Sequence, residues 1–172
     1  MADLRTGLGF DVHRSDAERT LHLGGLVFAG EPGLVGHSDG DAVCHAIADA
    51  LLGAVALGDV GQHFPDTDPS VAGIAGTSLL ARTVAILVEA GHRPVGVDVT
   101  VICDRPHIAP RRDEMRAALA AALGLGVDRV SVKGTRPEGL GLVGEGIGCL
   151  ALRSEEHTSE LQSHHDLVCR LL

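Results

Sequence analysis

Residues 38–57 read SDGDAVCHAIADALLGAVAL, and the reading of this stretch decides the fold. Ser38 and Asp41 stand in the S-x-x-D spacing of a capping box, which predicts a helix start. Val43, Ala46, Ile47, Ala50, Leu51, Ala54 and Val55 then recur at helical spacing, so the helix has one buried face. Upstream, residues 7–14 and 21–29 (LHLGGLVFA) read as strands. The polar residues 15–18 between them predict a hairpin turn, and the run GEPG at 30–33 predicts a chain break. Downstream, residues 58–70 form a loop rich in Gly, Asp and Pro. A second helix is predicted over 77–90, stopped by Gly91. Residues 95–103 alternate Val97, Val99 and Val101 with Asp98 and Thr100, the period of a strand. A proline-containing loop at 104–110 leads to a third helix over 111–123, closed by Gly124, and strands follow at 129–133 and 147–152. Strands and helices alternate without the regular period of a barrel. The predicted class is α+β, a single mixed sheet with helices packed on one face.

The length, 172 residues, fits one domain. Apolar residues make up 45% of the chain, enough to bury a core and exclude global disorder. Aromatic residues make up only 2%, which argues against base stacking on single-stranded nucleic acid. The net charge of −9 argues against coating DNA or RNA, so no nucleic-acid partner is expected. No run approaches the roughly 18 uninterrupted apolar residues of a membrane span, and the N-terminus lacks a signal-peptide pattern. The expectation is a cytoplasmic protein with no membrane contact. Cys44, Cys103, Cys149 and Cys169 have no C-x-x-C spacing and read as reduced, small apolar residues. The composition changes after Arg153. Residues 154–172 contain no glycine and read as an extraneous, disordered tail, with 153–163 resembling a translated adapter sequence. The domain is therefore expected over 1–153.

Two constellations carry chemistry. In Asp11-Val12-His13, residues i and i+2 of a strand share a face and can converge on one ion, although D-x-H is common by chance. Asp41, His45 and Asp49 are spaced to lie along one polar stripe of the first helix, which equally describes a solvated helix face. Combined, the two constellations suggest a three-ligand zinc site of one carboxylate and two imidazoles with a fourth tetrahedral position open, the catalytic pattern. Asp41 or Asp49 would orient an imidazole. Zn, Mn and Fe remain open on this donor set, imidazole favouring the later metals.

These residues belong to a longer ordered set: Gly7-x-Gly9-Phe10-Asp11-Val12-His13, then Gly36-His37-Ser38-Asp39-Gly40-Asp41 with His45 four residues on, then residues 56–61 (ALGDVG) and 64–69 (FPDTDP). The set resembles the 2-C-methyl-D-erythritol 2,4-cyclodiphosphate synthase family of non-mevalonate isoprenoid biosynthesis, over residues 4–152. The resemblance implies a homotrimer with active sites between subunits. It implies conversion of 4-diphosphocytidyl-2-C-methyl-D-erythritol 2-phosphate to the cyclic diphosphate with release of CMP, a phosphorus–oxygen lyase reaction. By that likeness Asp11, His13 and His45 hold Zn2+, and Glu138 helps hold Mg2+ or Mn2+ across the substrate diphosphate. His37 and Ser38 contact the 2-phosphate. His37 and Arg136 stand as the catalytic candidates. Val12 joins the substrate-binding set through the first motif. Asp59, Val60, Gly61, Phe64, Pro65, Asp66, Thr67 and Asp68 match the loop that holds the erythritol hydroxyls, with Asp66 the best acceptor. Residues 103–109 (CDRPHIA) occupy the place of the cytidine loop, with Cys103, Pro106, Ile108 and Ala109 in the set. Gly134, Thr135 and Arg136 fall beside the diphosphate, and Leu142 completes the set.

The requirement for cations follows from charge. An anionic nucleophile must approach an anionic diphosphate inside an acidic protein. The chain departs from the family pattern at Arg136-Pro137, where threonines are usual, and over residues 140–146, which lack two residues and an arginine associated with an anion cavity on the trimer axis. Two rival readings follow: a catalytically impaired trimeric relative that binds CDP or an isoprenoid diphosphate, and a metal-dependent phosphohydrolase.

Overall fold

The structure, a computed structural model, describes residues 4–157. Strands β1 (Leu4–Leu23) and β2 (Leu26–Leu34) form a hairpin, followed by helix α1 (Ala42–Ala54) and the single turn α2 (Val60–His63). Then come α3 (Gly76–Glu89), β3 (His92–Ile102), α4 (Arg112–Leu123), β4 (Val130–Thr135) and β5 (Gly146–His157). The sheet order is β2-β1-β5-β3-β4. The β3–β4 pair is parallel and the other three pairs are antiparallel, so the sheet is mixed. Helix α1 covers β1 and β5, while α3 and α4 cover β3 and β4. Among the described residues, no helix is long and apolar enough to cross a membrane.

The hairpin turn lies at Gly24-Gly25, not at residues 15–18. Both glycines have positive φ (60° and 78°), the backbone a two-residue hairpin turn demands. Residues 15–18 instead lie in β1, where the pairing with β2 shifts register between Asp16 and Thr20. Nor does the chain break at 30–33, since these residues belong to β2. Pro32 is tolerated there because β2 is the sheet's edge and Pro32 sits beside that register shift. Residues 154–157 extend β5, so the sheet continues past the expected domain boundary at 153. Residues 158–172 of the expected tail lie outside the described residues.

Asp41, not Ser38, caps α1. Its Oδ1 accepts from the backbone N–H groups of Val43 and Cys44, both at 3.1 Å. The same buried carboxylate accepts from Gly24 N at 2.8 Å and Gly25 N at 2.7 Å, so it ties the hairpin turn to the helix start. Asp41 is therefore not on the polar stripe. Of α1's residues only His45, Asp49 and Gly53 escape full burial, and they lie four apart along one line. Hydrogen bonds to an ionised group are each worth about 1.5–3 kcal/mol. Asp41→Ala is expected to lower stability by about 3–5 kcal/mol, because four N–H groups lose their acceptor at once; urea denaturation reads the change.

The core joins Val97, Val99 and Val101 of β3 to Leu51, Leu79, Leu80, Leu87, Met115 and Leu119 from the helices. The opposite sheet face is open and apolar. Leu8 lies opposite Leu152 and Phe10 opposite Leu150, and these side chains, with Val12, are 40% to 64% exposed.

Candidate metal centre and catalytic cavity

Asp11 and His13 project from β1 towards α1, and His45 faces them from the helix. His13 Nε2 lies 2.7 Å from Asp11 Oδ2, and His45 Nδ1 lies 3.2 Å from the same oxygen. The two ring nitrogens are 3.1 Å apart. Zinc–nitrogen bonds of about 2.0–2.1 Å in a tetrahedron put neighbouring donors roughly 3.3 Å apart, so this trio fits zinc with a fourth position free. Among the described residues it is the one cluster of His, Cys, Asp and Glu with such spacing.

The far side of each ring is held. His13 hydrogen-bonds through Nδ1 to the Val35 carbonyl, and His45 Nε2 pairs with Ser38 Oγ at 2.9 Å. These contacts turn His13 Nε2 and His45 Nδ1 towards Asp11, as ligands of a cation would be oriented. Neither Asp41 nor Asp49 does this, contrary to the expectation. Sequence spacing gave no signal for Val35, because a carbonyl has no side-chain signature. Burial pushes the Asp11 carboxyl up, but hydrogen bonds from His13 and His45 outweigh it and hold the group well below the usual carboxylate range. The hydrogen bond to Asp11 raises His13 against the opposing effect of burial. Because the proton and a cation would compete for the same His13 nitrogen, cation uptake is expected to strengthen as pH rises, which metal titration at several pH values checks.

The trio opens into a cavity of about 240 Å³. His37, Ser38 and Asp49 line it beside the trio, and Val60, Gly61, Phe64 and Asp66 complete the wall. Asp49 accepts from Val60 N at 2.8 Å, which anchors that wall to α1. Burial raises the Asp49 carboxyl. Asp59 caps α2, accepting from Gln62 N at 3.0 Å, and Asp68 accepts from Ser70 N at 2.8 Å. Those two carboxylates are engaged in shaping the loop, and neither they nor Pro65 and Thr67 line the cavity. Val12 does not join the set by its side chain, because strand alternation sends it to the open face.

A second cavity, of about 170 Å³, gathers Cys103, Pro106, Ile108, Ala109, Gly134, Thr135 and Arg136, together with Arg112 from α4. Burial pushes the Cys103 thiol up to about 11, so it is a neutral apolar wall. Cys44, Cys103 and Cys149 are free and buried, in line with the sequence reading. Arg112 is a lining residue the sequence reading missed; its place in the first turn of a helix gives no periodic signal. Glu138 and Leu142 are exposed and line neither cavity.

A model of the YgbB family matches residues 4–154. The 2-C-methyl-D-erythritol 2,4-cyclodiphosphate synthase of Trichlorobacter lovleyi is 48% identical over 148 residues, 86% of this chain and 94% of that one. A bifunctional IspD/IspF enzyme of Anaeromyxobacter dehalogenans is 50% identical over 88% of this chain, which spans only 39% of that enzyme's length. The solved structure of a 2C-methyl-D-erythritol-2,4-cyclodiphosphate synthase in its CDP-bound form matches at a TM-score of 0.80 and 34% identity, covering 87% of this chain and 98% of that one. The residues around the Asp11–His13–His45 trio, the mixed sheet that carries them and these likenesses agree, and the chain belongs to the YgbB family of 2-C-methyl-D-erythritol 2,4-cyclodiphosphate synthases.

Proposed function

We propose that this chain converts 4-diphosphocytidyl-2-C-methyl-D-erythritol 2-phosphate to the 2,4-cyclodiphosphate and CMP. The observation that carries the reading is the Asp11–His13–His45 trio opening into a cavity walled by His37, Ser38 and Asp66. Asp11, His13 and His45 would hold Zn2+ and Glu138 would help hold Mg2+ or Mn2+, and these cations would supply Lewis-acid stabilisation of the charge on the substrate phosphates.

The chain's own residues then act by positioning. His37 and Ser38 hold the 2-phosphate, and Asp66 accepts from an erythritol hydroxyl. Thr135 and Arg136 hold the diphosphate end, and the backbone of residues 103–109 holds the cytosine. Where the family's threonine hydroxyl orients the phosphates, the planar Arg136 fork clamps a phosphate through paired, charged N–H donors, though it does not reproduce the hydroxyl's shape. An oxygen of the 2-phosphate attacks the β-phosphorus, the bond from that phosphorus to the bridging oxygen breaks, and CMP leaves with the bridging oxygen. No protein nucleophile is needed.

The two cavities of one protomer have no lining residue in common. A substrate with a cytidine at one end and an erythritol phosphate at the other needs both together. A homotrimer built on the open face of Leu8, Phe10, Val12, Leu150 and Leu152 covers that apolar surface and sets a cavity of one subunit against the other cavity of its neighbour. The domain is taken to run through the end of β5 at residue 157, with the residues beyond it an extraneous tail. A multiply charged substrate stays in the aqueous compartment that makes it, and we place the reaction in the cytoplasm.

Incubation of the protein with the cytidylyl substrate, zinc and magnesium is expected to release CMP, with the cyclic product seen by phosphorus NMR. Linear phosphates in place of the cyclic product would instead establish a phosphohydrolase. CDP binding without CMP release would establish a binding-only relative.

A further inference from the structure

The bulge in β1 has a use beyond shaping the sheet edge. Asp16 pairs with Gly33 and Thr20 with Pro32, so residues 17–19 are extra on β1. This throws the Arg19 side chain across to the segment between β2 and α1. Its Nη1 donates to the Gly36 carbonyl at 2.6 Å and its Nη2 to the Ser38 carbonyl at 2.7 Å. These two carbonyls flank His37, whose own carbonyl accepts from Gly73 N at 2.9 Å. Val35, the next residue back, accepts from His13. Four consecutive carbonyls in a segment outside any helix or strand beyond residue 34 are thus held by partners from other parts of the chain.

We propose that Arg19 is a positioning residue for the centre, an inference that rests on the metal reading of Asp11, His13 and His45. The fork fixes the backbone at Ser38. Ser38 Oγ in turn holds His45 Nε2 at 2.9 Å, which turns His45 Nδ1 towards Asp11 and His13. The same fork fixes the backbone on either side of His37, which lines the cavity. A planar guanidinium spans two carbonyls at once; an ammonium is a point donor and does not reproduce the fork.

The test measures Co2+ binding to the full chain by its visible absorption, together with steady-state kinetics. Arg19→Ala is expected to weaken Co2+ binding about tenfold and to alter the absorption band, as loss of an outer support for a ligand does. It is expected to lower kcat about tenfold with KM nearly unchanged, because the alignment of the 2-phosphate is lost while the nucleotide end is held elsewhere. CMP is expected to bind as to the wild type. Guanidinium at non-denaturing concentration is expected to restore part of the Arg19→Ala rate, and Arg19→Lys to recover little. In a Ser38→Ala background the effect of Arg19→Ala on Co2+ binding is expected to shrink, since both act through His45. Unchanged Co2+ affinity, absorption and kcat in a folded Arg19→Ala protein overturns the inference alone. Should Arg19→Ala not fold, the same unchanged values in Arg19→Lys overturn it. Wild-type protein that takes up no Co2+ overturns the metal reading, and the inference with it.

Discussion

His45→Ala is expected to abolish CMP release while leaving the fold standing. His45 is one of the α1 residues not fully buried, and alanine is the best helix former, so the helix loses no core contact and no propensity. What it loses is one donor of three. Asp11 and His13 remain as a pair 2.7 Å apart, with no third donor to close the site. Stabilisation of developing charge by a bound cation is worth several kcal/mol. Its loss corresponds to a fall in kcat of about a thousandfold or more. Metal content per subunit, measured by atomic emission, is expected to fall from one zinc towards none. Thermal unfolding in the presence of a chelator is expected to differ little from that of the wild type. Full turnover by the folded variant would refute the trio as the metal centre.

That trio was legible because two periods are simple. A strand repeats every two residues and placed Asp11 and His13 on one face; a helix placed His45 and Asp49 on one line. Their meeting in space was not legible from those periods, since it depends on how closely α1 lies on β1. Ser38 and Asp41 show a different limit. Both are good cap residues, and the spacing admits either as the start. Gly40, with φ at 77°, turns the chain between them and leaves Asp41 at the helix start, where it also receives the Gly24-Gly25 turn. Ser38 is thereby released to support His45. The expected cap thus supports an imidazole, and the expected imidazole support is the cap.

The turns illustrate how local chemistry loses to sheet pairing. Residues 15–18 are as polar as a turn, yet a strand with a bulge absorbs them, and the hairpin closes where two consecutive glycines supply positive φ. Residues 154–157 look foreign by composition but pair along β5. Ladder hydrogen bonds use the main chain alone, so Ser154 sits opposite Thr6 and Gly96 without any side-chain requirement. Of the expected substrate residues, His37 and Asp66 line the cavity, whereas the Asp59 and Asp68 carboxylates accept backbone N–H groups of their own loop.

Gly9→Ala is expected to damage stability and metal binding together. The trio straddles β1 and α1, so the gap between these elements sets its geometry. Gly7 and Gly9 make that gap narrow: a Cβ on Gly9 would overlap the Ala46 carbonyl, and one on Gly7 the Ala50 carbonyl. The obstacle is helix backbone, which has no rotamer to change, so α1 must move off the strand. Overpacking of this kind costs about 1–3 kcal/mol where side chains yield, and here about 3 kcal/mol or more. A displacement of about 1 Å also draws His45 away from Asp11 and His13, which is enough to cost roughly a hundredfold in activity. Gly53→Ala is the matched control on the same helix. Its Cβ meets nothing within 4 Å and the position is exposed, so the change is expected to stabilise the protein by about 0.4–1 kcal/mol with metal content unaltered. Thermal unfolding and zinc content of the two variants side by side decide the matter. A Gly9→Ala protein as stable as the wild type and carrying its full zinc would show that the strand–helix contact does not set the centre.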